Sequence, residues 1–254
     1  MSGPGAGHSS WCGRSETPAA GHQGNTAGIV ETTGMSLEQP LEYPRGDTLA
    51  DSDGVPMESE WVCDQTRIYL VEPLRHYFRQ HQVVAFVGGN SFVYYPPNAK
   101  FLGPDFYVVR GGTQGNQTKW VSWEEGGLLP TTIIEFLSET TESRDRGEKF
   151  CIYRDVFKTE DYFLVNSETL NIEGFRLQKG HYSALRPEPD GWFYVRSLGL
   201  YLGAAGPWIR LRTREGEILP SARESAEAER QRAEAAEAEL EALRQELNRL
   251  KNNA

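Results

Sequence analysis

Two acidic side chains stand where apolar strands would not place them without a use. In the run TTIIEFL, residues 131–137, strand alternation puts Ile133, Glu135 and Leu137 on one face and Ile134 and Phe136 on the other. Glu135 is therefore an ionisable group on an apolar face, and carboxylates are rarely buried unless paired, hydrogen-bonded or bound to metal. The run DFYVV opens with Asp105, directly after Pro104, and the same alternation groups Asp105 with Tyr107 and Val109. If the two strands are sheet neighbours, which a separation of 30 residues permits, the carboxylates meet at one edge of a cleft. Two hard oxygen donors with room for water and a phosphate are what Mg²⁺ requires, and such an ion polarises a phosphodiester and activates water. The plainer reading is that a strand-opening Asp caps a turn.

A cation would complete such a site by holding the attacking water or balancing charge in the transition state. Lys149 is the nearest in sequence, with Arg144 and Arg146 one turn earlier. The competing reading makes Asp145 and Lys149 a solvated i,i+4 pair of a few tenths of a kcal/mol.

Residues 57–220 hold the elements that must position these groups. Glu58 to about Gln80 has helical spacing at Ile68, Val71, Leu74 and Phe78, and Pro73 is expected to bend or interrupt it. The runs VVAFVGG, SFVYY, DFYVV, KWVSW and TTIIEFL then read as strands, several separated by Gly-Gly or Pro-Pro breakers. A helix is expected at about Ser143 to Phe157 with Phe150, Tyr153 and Phe157 on one side, followed by the strands DYFLV, TLNIEGFRL, HYSAL, WFYVRS, LGLYL and PWIRLR. Strands, a helix and strands again point to one α/β domain around a mixed sheet.

The flanks differ in kind. Residues 1–56 are rich in Gly, Ser, Thr, Pro and acidic residues without period 2 or 3.6, and read as a disordered polar leader. Residues 221–254 carry a 3,4 alternation through Ala222, Ala226, Glu229, Ala233, Ala236, Leu240, Leu243, Leu247 and Leu250, the pattern of a coiled-coil helix. A homo-oligomer assembled through that helix is expected, the alternative being a solvated single helix held by Glu/Arg pairs.

With these residues in view, the chain from about Glu58 to Gly206 resembles the Uma-two family of restriction-like endonucleases in the PD-(D/E)XK nuclease superfamily. Pro104-Asp105 matches the family's PD, Glu135 the acidic residue of its second strand motif, Lys149 and Tyr153 its helical Lys and Tyr, and DYFLV the strand that follows. The resemblance implies a restriction-endonuclease-like mixed β-sheet core flanked by helices. It also implies a Mg²⁺-dependent endonuclease, with Mn²⁺ able to substitute, in which Asp105 and Glu135 hold the metal, Lys149 is the positioning cation and DNA is the substrate. The superfamily pattern places Lys at position 137, where this chain has Leu137, so either the lysine function has moved to the helix or the site is impaired. A further acidic residue on the first helix has three candidates, Glu58, Glu60 and Glu72. The alternative function is a catalytically silent nuclease-fold module that binds a nucleic acid or a protein and assembles through its coiled coil.

Composition narrows the rest. The net charge of −10 belongs mostly to the flanks, because residues 61–220 carry 18 basic against 19 acidic side chains, so a polyanionic partner is compatible with the core. No apolar run approaches the ~18 residues of a membrane span. The opening MSGPGAGHSS lacks a basic start and an apolar segment, and the three cysteines, Cys12, Cys63 and Cys151, form neither a disulfide framework nor a CxxC knuckle, so a cytoplasmic setting is expected. GGTQGNQTK lacks the GK[ST] ending of a phosphate cradle and reads as a loop. His76, His81 and His181 show no ligand spacing, Trp120 and Trp123 read as packing residues, and Glu124 and Glu125 as a solvated turn.

Overall fold

The computed structural model describes residues 43–51, 59–96, 98 and 100–252. In chain order the strands are β1 (Ala85–Gly89), β2 (Val93–Tyr95), β3 (Lys100–Leu102), β4 (Phe106–Arg110), β5 (Trp120–Val121), β6 (Thr132–Leu137), β7 (Asp161–Asn166), β8 (Ile172–Gln178), β9 (His181–Ala184), β10 (Phe193–Val195), β11 (Leu200–Ala205) and β12 (Trp208–Arg212). The main sheet has the order β1-β4-β6-β7-β8-β9. Its β6 and β7 run parallel while its other neighbours are antiparallel. A parallel pair needs a crossover, and the helical stretch from Glu142 to Phe157 supplies it.

Both faces of this sheet are covered, which is why all six residues of β6 are buried. On one face Ile134, Phe136, Phe163 and Val165 pack with the first helix and with Phe193, Leu202 and Ile209. On the other, Ile133, Leu137, Tyr107, Val109 and Leu164 pack with Tyr153, Phe157 and Trp120. The alternation read for residues 105–109 and 133–137 thus sorts the side chains between two distinct cores.

The mixed sheet expected from the strand runs is present, and some of the runs lie outside it. Strands β3-β2-β5 and β10-β11-β12 form two smaller sheets. Apolar residues of each join the cores on opposite faces of the main sheet. Alternation identifies a strand and its buried face but not its neighbours, so covering layers read like extra strands of one sheet.

The first helix continues past Pro73. It comprises α-helical Glu60–Thr66, a π turn at Arg67–Val71 and α-helical Glu72–Gln80. Proline lacks the N–H that would bond four residues back, and just ahead of it the Glu72 N–H already reaches back five residues to the Arg67 carbonyl. The wide turn also shifts the buried face: Leu70, Val71, Leu74 and Phe78 enter the core, while Ile68 stays half-exposed.

The expected leader, 1–56, lies outside the described residues apart from 43–51, and that segment corrects its boundary. Tyr43 stacks on Trp123 with ring centroids 5.0 Å apart. The Trp123 indole N–H donates to the Pro44 carbonyl at 3.0 Å, and the Gly46 N–H donates to Glu124 at 2.6 Å. Lys119 pairs with Asp51 at 2.9 Å. Glu124 is therefore a docking acceptor for this strap rather than a purely solvated turn residue. Polar segments read as leaders when their partners, here Trp123, Glu124 and Lys119, lie some 70 residues away.

Trp123→Ala removes the stack and the indole hydrogen bond. It should cost about 1–2 kcal/mol, read as a melting temperature lower by several degrees and faster proteolysis within residues 43–51. An unchanged melting curve and digestion pattern would mean that the strap contributes nothing.

Candidate active site

The register of β4 and β6 builds the centre of the site. Phe106 faces Ile134 and Tyr107 faces Ile133, so one step beyond the pairing sets Asp105 against Glu135. The two backbones then clamp the two carboxylates. Asp105 Oδ2 accepts the Phe136 N–H at 2.6 Å, and Glu135 Oε2 accepts the Asp105 N–H at 3.3 Å.

The crossover helix contributes the remainder. Glu135 Oε1 accepts from Lys149 Nζ at 3.0 Å and from the Tyr153 hydroxyl at 2.7 Å, and Lys149 Nζ lies 2.8 Å from Asp145 Oδ1. Asp145, Lys149, Tyr153 and Phe157, each four residues apart, are all buried. In an α-helix a four-residue step drifts by ~40°, since 3.6 residues complete a turn, and three such steps would carry Phe157 far from Asp145. Two π turns, Asp145–Lys149 and Tyr153–Phe157, alternate with single α-helical turns in this stretch. Their wider winding takes up the drift and aims one line of side chains at the sheet. Tyr162 of β7 fixes the first turn by donating to the Asp145 carbonyl at 3.0 Å.

Gly88 makes room for the ring of Tyr107 on the neighbouring strand. It pairs with Tyr107, and a Cβ on it would lie 2.4 Å from the Tyr107 ring, whose hydroxyl contacts Ser91 Oγ at 3.0 Å.

Asp105, Glu135 and Lys149, the three residues singled out in the sequence, therefore lie together, and Tyr153 joins them. The competing reading of Asp145 and Lys149 as a solvated pair is not what the structure shows: Asp145 is 1% exposed and shares Lys149 with Glu135. The signal for it was the four-residue spacing of Asp145, Lys149, Tyr153 and Phe157, which α-helical periodicity hides. Arg144 and Arg146 point elsewhere, Arg144 pairing with Glu148 and Arg146 with Glu142 and Glu173. Leu137 is buried in the apolar core on the Glu135 face. Of the candidates on the first helix, Glu58 lies outside the described residues, while Glu60 and Glu72 are exposed.

Three carboxylates surround one ammonium here, and the electrostatics follow. Burial, reinforced by Asp105 and Asp145, pushes the Glu135 carboxyl up to about 8 against the pull of Lys149 and the Tyr153 hydroxyl. Burial opposes charge on Lys149, but Glu135, Asp145 and Asp105 outweigh it and hold the ammonium above its ordinary range. Among the described residues no group of three His, Cys, Asp or Glu side chains is arranged to hold a metal by itself. A groove of about 820 Å³ between the first helix, β1 and the start of the C-terminal helix contains none of the cluster residues.

Comparison with known proteins bears on what this cluster is. The Uma2 family, described as "Putative restriction endonuclease", matches residues 37–214. The chain belongs to the Uma2 family. A curated relative, the uncharacterized protein slr1290 of Synechocystis, is 28% identical over 98 residues, which is 38% of this chain. The chain spans about half, 48%, of that relative's length. A crystal structure of a putative nuclease belonging to DUF820 from Anabaena variabilis aligns with a TM-score of 0.40 and 15% identity, covering 56% of this chain and 76% of that one. The Uma2 match takes in Asp105, Glu135, Asp145, Lys149 and Tyr153, together with the strap at 43–51. No helix among the described residues is long and apolar enough to cross a membrane.

The cluster's charges bear on stability. Lys149→Met leaves the buried Asp145 carboxylate without its cation and should destabilise the metal-free protein by about 3–5 kcal/mol at neutral pH. Glu135 itself titrates higher in the folded chain, about 8, than its ordinary 4.5. Its stabilising contribution is therefore complete below about 4.5 and is lost as pH rises through about 8. Denaturant unfolding between pH 5 and 8 should show wild type losing stability relative to Glu135→Gln. Parallel curves would show that Glu135 does not carry this proton.

Proposed function

We propose that the chain is a metal-dependent endonuclease that hydrolyses phosphodiester bonds in DNA, with Asp105 and Glu135 as ligands for Mg²⁺ or Mn²⁺ and Lys149 as the positioning cation. The observation that carries this reading is the apposition of Asp105 and Glu135 across β4 and β6, with Lys149 Nζ 3.0 Å from Glu135. Membership of a family described in restriction-endonuclease terms supports nucleic acid as the substrate class.

The donor set fits a hard divalent ion. Mg²⁺ is commonly held by one or two carboxylates, with the remaining positions left to water and phosphate oxygens, and the cluster has an excess of carboxylates over cations. When bound, such an ion polarises the phosphodiester and lowers the pKa of water. The chain's own groups have separate tasks. The Phe136 N–H fixes the orientation of Asp105, and the Tyr153 hydroxyl fixes that of Glu135. Lys149, held between Glu135 and Asp145, is placed to orient water or offset charge developing on the phosphate. Position 137 is closed to charge by apolar packing. A lysine with a long apolar stem on the crossover helix serves the same carboxylate from above the sheet.

A second reading has its own support. Glu135 is fully buried and its oxygens already accept three donors, as expected of a structural ion-pair cluster in a catalytically silent binding module.

Supercoiled plasmid incubated with Mg²⁺ or Mn²⁺ separates the two. Wild type should nick or linearise it, Asp105→Asn should be inactive, and Lys149→Gln should lower kcat by roughly 10² with little change in metal affinity, as for a group acting mainly in the transition state. The variants are to be assayed below their own melting temperatures. Equal traces from wild type and Asp105→Asn would favour the silent module.

A further inference from the structure

The C-terminal helix, Ala222–Asn252, leaves an apolar stripe uncovered. Leu240, Leu243, Leu247 and Leu250 are 48%, 60%, 51% and 66% exposed on a helix otherwise made of Ala, Glu, Arg and other polar residues. Its composition favours helix formation, so the stripe is not needed to form the helix. Burial against another surface is what these leucines add.

The charges flanking the stripe select the occupant. Spacing assigns Ala226, Ala233, Leu240 and Leu247 to a positions and Ala222, Glu229, Ala236, Leu243 and Leu250 to d positions of a heptad. Arg232 and Glu239 then fall at g, and Glu237 and Arg244 at e. In a parallel pair each g residue meets the e residue of the next heptad on the other helix. That matches Arg232 with Glu237 and Glu239 with Arg244, opposite charges in both cases and twice over by symmetry. An antiparallel overlay of the same leucines would instead bring Arg244 beside its own symmetry mate. We propose that the stripe is covered by the same helix of a second copy of this chain, in a parallel two-stranded coiled coil.

The stem is anchored at its start. Ser221 caps the helix reciprocally with Glu224: the Ser221 N–H donates to Glu224 Oε2 at 2.7 Å, and the Glu224 N–H to Ser221 Oγ at 3.3 Å. Arg210 of β12 pairs with the same Glu224 at 2.7 Å. A parallel stem therefore holds the two folded domains at one end. Its Ala-rich half, with Glu229 in the seam, lies next to the domains, and the leucine clasp lies farthest from them.

Light scattering on the full chain over a concentration series should give the mass of a dimer, and Leu243→Glu the mass of a monomer with an unchanged melting temperature of the folded domain. Orientation is read from charge reversal. Glu239→Arg alone sets Arg against Arg244, and Arg244→Glu alone sets Glu against Glu239. Each should raise the dimer dissociation constant by about tenfold, the scale expected when several exposed pairs turn from attractive to repulsive. An equimolar mixture of the two variants makes every parallel g–e contact complementary and should restore wild-type affinity. A monomeric wild type, or an unchanged mass for Leu243→Glu, would overturn the proposal. A mixture no tighter than the single variants would overturn the parallel arrangement.

Discussion

Removing a carboxylate from water costs several kcal/mol even after relaxation, unless charges and hydrogen bonds replace the solvent. Glu135 is fully buried in the middle of a sheet covered on both faces, and much of the local structure consists of what replaces its solvent. The Asp105 N–H reaches it from the neighbouring strand, and the Lys149 ammonium and Tyr153 hydroxyl reach it from the crossover helix. The parallel pairing of β6 and β7 requires that crossover, and its two π turns aim Lys149 and Tyr153 at the same carboxylate. Sheet topology, helix winding and site chemistry thus answer to one buried carboxyl group.

The arrangement holds more negative than positive charge, because Asp105 and Asp145 crowd a site with a single ammonium. A wholly structural cluster would gain by exchanging one of these acids for a neutral residue. That surplus of carboxylates is what the proposed divalent cation would neutralise, and their mutual repulsion lowers the stability of the fold without it. Leu137 packs in the apolar core on the Glu135 face, and Lys149 reaches Glu135 from a helix with widened turns.

Much of this was legible in the sequence, for identifiable reasons. Period-2 alternation is rigid, so the faces of Asp105 and Glu135 could be read directly, and the sequence separation allowed their strands to be neighbours. Helical phase is less secure. One π turn moved the buried face of the first helix from Ile68 to Leu70, and two more turned Asp145 from an apparent surface residue into a buried one. The strap at 43–51 was illegible because its composition is that of a leader and its partners, Trp123, Glu124 and Lys119, lie far along the chain. Division of the strands among three sheets was hidden for a related reason, since pairing is a relation between distant segments that neither propensity nor alternation encodes.

Calorimetric titration of Mn²⁺ tests most directly whether the carboxylate pair made by the β4–β6 register holds a divalent cation, as proposed. Wild type should bind with a defined stoichiometry, and Asp105→Asn and Glu135→Gln should each abolish or greatly weaken binding. Both substitutions preserve shape and relieve repulsion, so the metal-free variants should remain folded and melt no lower than wild type. Undiminished Mn²⁺ binding by Glu135→Gln, or a severe loss of stability in that variant, would show instead that the buried carboxylate is a structural ion-pair member and that the site is not a metal centre.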